Sequence, residues 1–566
     1  MSNRASLLSV LPGLTLLVLL GPVFAGLYGV VLPALGHLPA AGYVGPSSEP
    51  FRDLLTWPGL GASVRLSLTT GFAAAALSLL IVALILAGWS GTRWFAWVER
   101  ALSPLLSVPH AAAAFGFAFL IAPSGWVFRL ISPGLTGWVR PPDLLILQDP
   151  VGLSLIAGMV MKEVPFLLLM SIAALGQVGG GRRLIVAQSL GYGRVAGWLI
   201  AVFPAIYQRI RLPVLVVLAW SMSVVDVAVI LGPSTPSTLS VQIVRWMSDP
   251  DLVFRLRAAA GALLQFGLVL GGLALWWGLE RALAGLCGRL VARGVRFEAD
   301  GAARGGGLFL AFSVVLWLIL GLLGMLVWSF AGFWTFPDLL PDQFTLRSWQ
   351  RHATGSLNAT LETALIAGIV VSLGLFLTIG CLEAEERQGK RLSSRGMWLL
   401  YLPLLVPQTA FLPGLQTLML SFGIETGRAG VLLAHLVFVL PYMRLSLQDP
   451  WRQWDQRQAL VAASLGASAN RVLWQIRLPM LLGPVLTALA VGVAVSVGQY
   501  LPTLLMGGGR VETLTTEALA LSSGGDRRAI GVFALLQTVV ALAPFALALL
   551  VPALVWRNRS GLQHEG

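Results

Sequence analysis

Long apolar runs, broken at intervals by short basic or Gly/Pro-rich stretches, set the pattern of this chain. A helix that crosses a hydrocarbon core of roughly 30 Å needs about 20 mostly apolar residues. Twelve stretches approach that length: 7–31, 62–88, 101–122, 151–176, 212–232 and 258–279, then 307–331, 359–381, 397–420, 429–446, 481–505 and 529–554. They are continuous Leu/Ala/Val/Gly runs, not the short alternating segments of a membrane β-barrel. The pattern predicts an all-α polytopic membrane protein of about twelve transmembrane helices. The first run follows Arg4 and contains Val23-Phe24-Ala25, which loosely suggests a processed signal. It continues to Val31, however, and its removal would leave five helices against six, so it is read as a retained span.

The runs fall into two sets of six, and the order of several short motifs repeats between them. Pro104-Leu105-Leu106-Ser107-Val108-Pro109 resembles Pro403-Leu404-Leu405-Val406-Pro407, Pro165-Phe166 resembles Pro441-Tyr442, and Thr238-Leu239 resembles Thr513-Leu514. Ala262-Leu263-Leu264-Gln265 recurs as Ala534-Leu535-Leu536-Gln537. Because six is even, both sets enter the membrane with the same orientation, as in parallel-repeat transporters. The expected organisation is a first unit over 1–279, a basic linker over 280–306 and a second unit over 307–566.

Composition agrees. The chain has 566 residues, 57% hydrophobic and only 11% charged, with a net charge of +13. With the N-terminus inside, 24 of the 38 Lys and Arg residues fall in inner segments, so both termini are expected to be cytoplasmic. Topology and anionic lipid account for the positive charge without nucleic acid. Cys287 and Cys381 are the only cysteines, too few for a disulfide scaffold.

The two inner loops share a device. Ser189-Leu190-Gly191 is followed by Pro204, and Ser464-Leu465-Gly466 by Pro479, with the same spacing and 275 residues apart. A glycine permits positive φ, and a proline suits the first turn of the next helix. The intervening Tyr192–Leu199 and Ala467–Trp474 are each long enough for a two-turn surface helix. Trp198 and either Leu473 or Trp474 are expected as apolar anchors in a partner's groove.

The run from Leu460 through Gly466 to Ile476, Leu478 and Pro479 resembles the EAA loop of ABC importer permeases, with a weaker copy around Gly191. The acidic residue of that motif is replaced by Ile185 and Leu460. The resemblance implies a type I importer permease fold, and it makes Gly191, Tyr192, Arg194, Trp198, Pro204, Gly466, Ala467, Ser468, Arg471, Trp474 and Pro479 the ATPase-coupling residues. The sequence from Gly498 to Gly509 extends the likeness to fused permeases of the ferric-iron and thiamine group and to YnjC-type permeases. It implies two copies of an ABC ATPase, a periplasmic binding protein and a place in the bacterial inner membrane. The only lysines, Lys162 and Lys390, do not sit in a P-loop, so ATP and Mg are expected on the partner, with no cofactor in this chain.

Polar residues within the spans are the candidates for a translocation path. Lys162 and Glu163 lie in the fourth run, where ionisable groups are costly unless paired or facing water, and either line the path or snorkel to an interface. Trp220, Ser223 and Asp226, and likewise Ser496, Gln499 and Tyr500, have spacings that place them on one helix face. The outer segments 232–257 and 506–528, with Arg245, Asp249, Asp251, Arg510, Glu512, Asp526, Arg527 and Arg528, are candidates to meet complementary charge on the binding protein. The five histidines lack metal-ligand spacing, and no nucleophile elbow is present, so the chain is not read as an enzyme. A competing reading, an ion-gradient-driven transporter with 6+6 repeats, would rely on Lys162, Glu163 and Asp226 as a relay.

Overall fold

The computed structural model describes residues 7–389 and 394–555, all as helices and connecting loops. Arg4, Lys390, Arg391, Arg557 and Arg559, used above for orientation, lie outside these residues. In the first half the principal helices are α1 (Leu7–Ala34), α2 (Leu60–Trp89), α3 (Arg93–Leu105), α4 (His110–Ile121), α5 (Leu153–Val178), α6 (Gly180–Ser189), α7 (Arg194–Ala201), α8 (Phe203–Ser223), α9 (Asp226–Leu231), α10 (Leu239–Met247) and α11 (Phe254–Ala292). In the second they are α12 (Gly301–Phe330), α13 (Ala353–Gln388), α14 (Ser394–Leu405), α15 (Gln408–Ser421), α16 (Arg428–Gln453), α17 (Arg457–Ser464), α18 (Ala469–Val472), α19 (Leu482–Val497), α20 (Leu501–Gly507), α21 (Leu514–Ser522) and α22 (Arg527–Val555). Among the described residues nine helices are long and apolar enough to span alone, and three bent pairs bring the number to twelve.

The third and fifth runs are not the single helices that hydropathy predicts. In the third, the chain breaks before Pro109 and Pro407, where proline removes a backbone donor and disfavours helix at the preceding valine. The segments on either side of Pro407 meet at 87°. In the fifth, α8 stops at Ser223 and α9 restarts at Asp226, while α19 stops at Val497 and α20 restarts at Leu501.

Such breaks strand carbonyls, and the repeated Ala-Leu-Leu-Gln motif has a physical role here. Gln265 Nε2 donates to the Met222 carbonyl at 3.0 Å, at the end of α8. Gln537 Nε2 donates to Thr515 Oγ1 at 2.6 Å, and Thr515 Oγ1 donates to the Val497 carbonyl at 2.5 Å, at the end of α19. Each glutamine on a sixth span thus satisfies the interrupted fifth span of its own half, directly or through one hydroxyl.

Each first helix packs across the midline. The helix α1 runs along α15 and α13 of the second half, and α12 runs along α4 and α2 of the first. Glycines bring these crossings close. A Cβ on Gly116 would stand 2.8 Å from the Gly321 carbonyl carbon, and one on Gly414 would overlap the carbonyl of Gly26. Small residues are what membrane helices use to approach in this way.

The basic linker 280–306 is mostly helical. The sixth span continues as α11 to Ala292, and α12 begins at Gly301, which leaves only 293–300 as a connection. The exposed, charged turns of α11 are solvated helix of the kind that propensity alone permits.

Candidate coupling loops and a central polar cluster

The two loops on the basic face are built alike. Gly191 and Gly466 both have φ of +86°, a conformation that glycine adopts without strain. In the first loop the amides of Gly191 and Tyr192 bond back to Gln188 and Ala187; in the second, those of Gly466 and Ala467 bond to Ala463 and Ala462. Ser189 Oγ donates to the Val186 carbonyl at 2.8 Å, and Ser464 Oγ to that of Val461 at 2.7 Å. The same helix-ending turn has formed twice, and it turns aliphatic side chains outward in matched pairs: Ile185 with Leu460, Val186 with Val461, Leu190 with Leu465.

The surface helices that follow start slightly later than predicted, at Arg194 and Ala469. Ser468 caps the second, its side chain accepting from the Arg471 amide at 3.4 Å, while Arg471 itself bonds Gln475 at 2.8 Å. That helix runs through a π turn, Leu473–Arg477, into Leu478–Met480, which holds Pro479. Pro204 occupies the first turn of α8. Trp474 is 68% exposed, as an anchor requires. Trp198 corrects the expectation, being 2% exposed and packed on Phe203 at 5.9 Å between ring centres. Its apolar bulk faces the bundle, so the exposed anchors of the first loop are the aliphatics of α6 and Leu190. Tyr192 is buried as well, its hydroxyl accepting from Arg296 at 2.7 Å.

How each loop is tied to the membrane helices differs between halves. In the first, Arg194 donates to the carbonyls of Ala87 (3.2 Å) and Ser90 (2.7 Å) on the second span, and Asp300 from the linker accepts from the Val195 amide. In the second, the buried Arg477 bonds Glu383 at 2.7 Å and lies over the ring of Trp454 at 4.3 Å. Glu383 also pairs with Arg387 at 2.7 Å, and Glu385 with Arg444. Sequence reasoning missed this carboxylate set because the second run was ended at residue 381. Helix α13 continues to Gln388, and the Glu-Ala-Glu-Glu run at 383–386 was its signal.

The candidate path residues divide into two groups. Lys162 does not face a path: its ammonium donates to the carbonyls of Leu105 (3.2 Å) and Leu106 (3.1 Å), where α3 ends before the break. A cation at a helix C-terminus satisfies carbonyls that the helix leaves unpaired. Ser223 bonds its own helix at the Ala219 carbonyl, 2.7 Å. Ser496 bonds His435 Nδ1 at 3.0 Å, and His435 Nε2 meets Thr503 Oγ1 at 2.9 Å, so this histidine spans the break between α19 and α20. The helical spacing used to group Ser223 with Asp226, and Ser496 with Gln499 and Tyr500, fails because the fifth spans are interrupted between them.

The remaining candidates converge. His110, the first residue of α4, lies 3.5 Å from Glu163 on α5, and its ring centre is 4.5 Å from that of Trp220 on α8. Asp226, at the start of α9, is within electrostatic reach of His110 and of Tyr500 in the second half. Tyr442 is within reach of Glu163. Gln408, which occupies the position of His110 in the repeat, bonds Gln499 at 3.3 Å. The cluster therefore joins break points from both halves. His110, Gln408 and Tyr442 were not foreseen; the Pro-His and Pro-Gln steps were their signal.

On the opposite face, the arginines expected to meet a partner are engaged within the chain. Arg245 donates to Ser234 (2.8 Å), Arg510 pairs with Glu425 (3.0 Å), Arg527 bonds Ser124 Oγ (2.9 Å) and Arg528 the Gly332 carbonyl (2.5 Å).

Comparison with known proteins agrees with this architecture. Residues 371–555 match the family described as binding-protein-dependent transport system inner membrane component. The chain is 32% identical to the inner membrane ABC transporter permease protein YnjC of Escherichia coli (strain K12) over 97% of its own length and 98% of that protein's. It is 26% identical to the thiamine transport system permease protein ThiP of the same organism, over 73% of this chain and 74% of that one. It is also 26% identical to the spermidine/putrescine transport system permease protein PotC of Haemophilus influenzae, over 39% and 83%. The chain belongs to the ABC importer permeases of the binding-protein-dependent type, as a multi-pass inner-membrane subunit.

Proposed function

We propose that two copies of an ABC ATPase grip this permease at the loops around Gly191 and Gly466, and that a periplasmic binding protein delivers its solute to the opposite face. ATP and Mg reside on the ATPase, and this chain contributes no catalytic group. Both termini and the basic loops are cytoplasmic in this reading. The six-helix units over 1–279 and 307–566, joined by 280–306, rock against each other between inward and outward openings.

The observation that carries the proposal is the duplicated turn, with equal φ at Gly191 and Gly466 and aliphatic pairs exposed at the same register. Exposed aliphatic side chains on a cytosolic loop ask for an apolar partner surface. With Ile185 and Leu460 in place of the motif's acid, the grip is apolar rather than ionic. Trp474, Ala467 and Ser468 extend the second contact, and Gly191 with the exposed aliphatics of α6 forms the first.

Replacing Gly466 with leucine forces a side chain into positive φ, at a cost of roughly 1–2 kcal/mol, and alters the turn that presents Leu465. The variant is expected to insert normally but to lose ATPase copurification or ATP-driven uptake, more severely when Gly191 is replaced too. Undiminished ATPase binding and uptake in the double variant would remove these loops as docking sites.

A further inference from the structure

Lys162 and Glu163 are neighbours of opposite charge, so the sequence favours neither a cation nor an anion at the centre of the molecule. The fold separates their roles. The Lys162 ammonium is spent on the Leu105 and Leu106 carbonyls, at the end of a helix. The Glu163 side chain is only 6% exposed, approaches His110 at 3.5 Å and accepts no hydrogen bond among the described residues. Asp226 adds a second carboxylate from the first half, with Tyr500 of the second half within electrostatic reach of it.

Around these carboxylates stand rings: His110 against Trp220 at 4.5 Å, Tyr442 near Glu163 and Tyr500 near Asp226. His110, Trp220, Asp226, Gln408, Tyr442, Gln499 and Tyr500 are all partly exposed and come from both halves; all but Tyr442, which lies within α16, stand at or near interruptions of the spans. These groups make one polar and aromatic cluster to which both halves contribute. His110 belongs to this set, whereas Lys162 is engaged at the end of α3 and does not.

We propose that this central cluster meets the solute as a small organic cation, with Asp226 and Glu163 meeting the positive charge and Trp220, Tyr442 and Tyr500 presenting ring faces to it. A buried carboxylate without a full partner is unfavourable, and an arriving cation relieves that cost where an anion would add to it. Aromatic faces attract organic ammonium groups through their quadrupoles. A bare metal ion fits less well, because among the described residues no group of three His, Cys, Asp or Glu side chains is placed to hold one. The inference rests on the permease reading, since it names what occupies the path.

The test uses the full chain, purified with its ATPase in lipid nanodiscs, with quenching of tryptophan fluorescence and thermal protection as readouts. The probes are choline and benzyltrimethylammonium, the neutral choline isostere 3,3-dimethylbutan-1-ol, and acetate. The cations are expected to bind at least about tenfold more tightly than the neutral isostere. Asp226→Asn should erase that preference, Asp226→Glu should retain part of it, and Glu163→Gln should weaken it. Tyr500→Leu, which leaves both carboxylates in place, should selectively weaken benzyltrimethylammonium if the Asp226 variants do not assemble. Equal affinity for choline and its isostere, a preference for acetate, or no binding of either cation overturns the assignment. ATP hydrolysis in the same nanodiscs separates the two readings. A complex that hydrolyses ATP but does not prefer cations sinks only the cation assignment, whereas a chain that recruits no ATPase sinks the importer reading.

Discussion

Asp300 accepts a hydrogen bond from the backbone amide of Val195 at 2.8 Å. Val195 is the second residue of α7, and Asp300 immediately precedes α12, so a linker carboxylate caps the surface helix of the first loop and ties it to the first span of the second half. An acidic group at a helix start satisfies a free amide and favours the local dipole. Arg296, bonded to Tyr192 and 4.7 Å from its ring, reinforces the same attachment. The first loop is thereby tied to both halves.

Asp300→Ala is expected to cost about 1 kcal/mol of local stability, the usual value of a lost cap. Because the exposed aliphatic residues proposed to dock the ATPase are untouched, ATPase copurification should persist while uptake per ATP hydrolysed falls. Uptake and hydrolysis measured together in proteoliposomes check this, and an unchanged ratio would refute the relay.

The second loop is tied by a buried ion pair. Removing one member of such a pair costs roughly 3–5 kcal/mol because the other is left uncompensated. Glu383→Gln or Arg477→Met should sharply lower the thermal stability of the detergent-solubilised protein. The double variant should recover part of the loss. A thermal-unfolding double-mutant cycle gives the coupling, and strictly additive losses would show that the pair does not act as a unit.

Gln265→Met and Gln537→Met keep the side-chain length but remove the donor that serves the interrupted fifth spans. Intramembrane hydrogen bonds average about 0.6 kcal/mol, and a fully orphaned group costs about 1–3 kcal/mol. Each variant is expected to lose about 1 kcal/mol, with Gln265→Met the more damaging because Met222 then has no intervening hydroxyl. Melting temperatures of the two variants decide the ranking.

Lys162→Met should release the Leu105 and Leu106 carbonyls and lower stability, without changing which solutes are preferred. Competition assays on the surviving folded fraction distinguish this from a path residue, whose loss would shift selectivity.

Much of this architecture is legible in the chain. The count of spans, the two sets of six and the twin turns at Gly191 and Gly466 all follow from periodicity and punctuation, because burial in lipid and positive φ leave strong residue signatures. The breaks in the fifth spans do not, since Val224-Val225 is as apolar as its surroundings, and what stabilises the gap is a glutamine some forty residues later. The interruption defeats the i, i+3 and i+4 logic at Ser223 and Ser496. The inward turn of Trp198 is equally hidden, because a tryptophan in a surface helix reads the same whether it points toward a partner or toward the bundle. The opposite fates of Lys162 and Glu163 depend on where α3 ends.

The exchange of first helices reaches further than any single contact. With Gly26 and Gly29 of α1 seated against Phe411 and Gly414 of α15, the opening residues of the polypeptide act as a wall of its distant C-terminal bundle. Damage to α1 is therefore suffered by the distant second bundle, whose wall it forms.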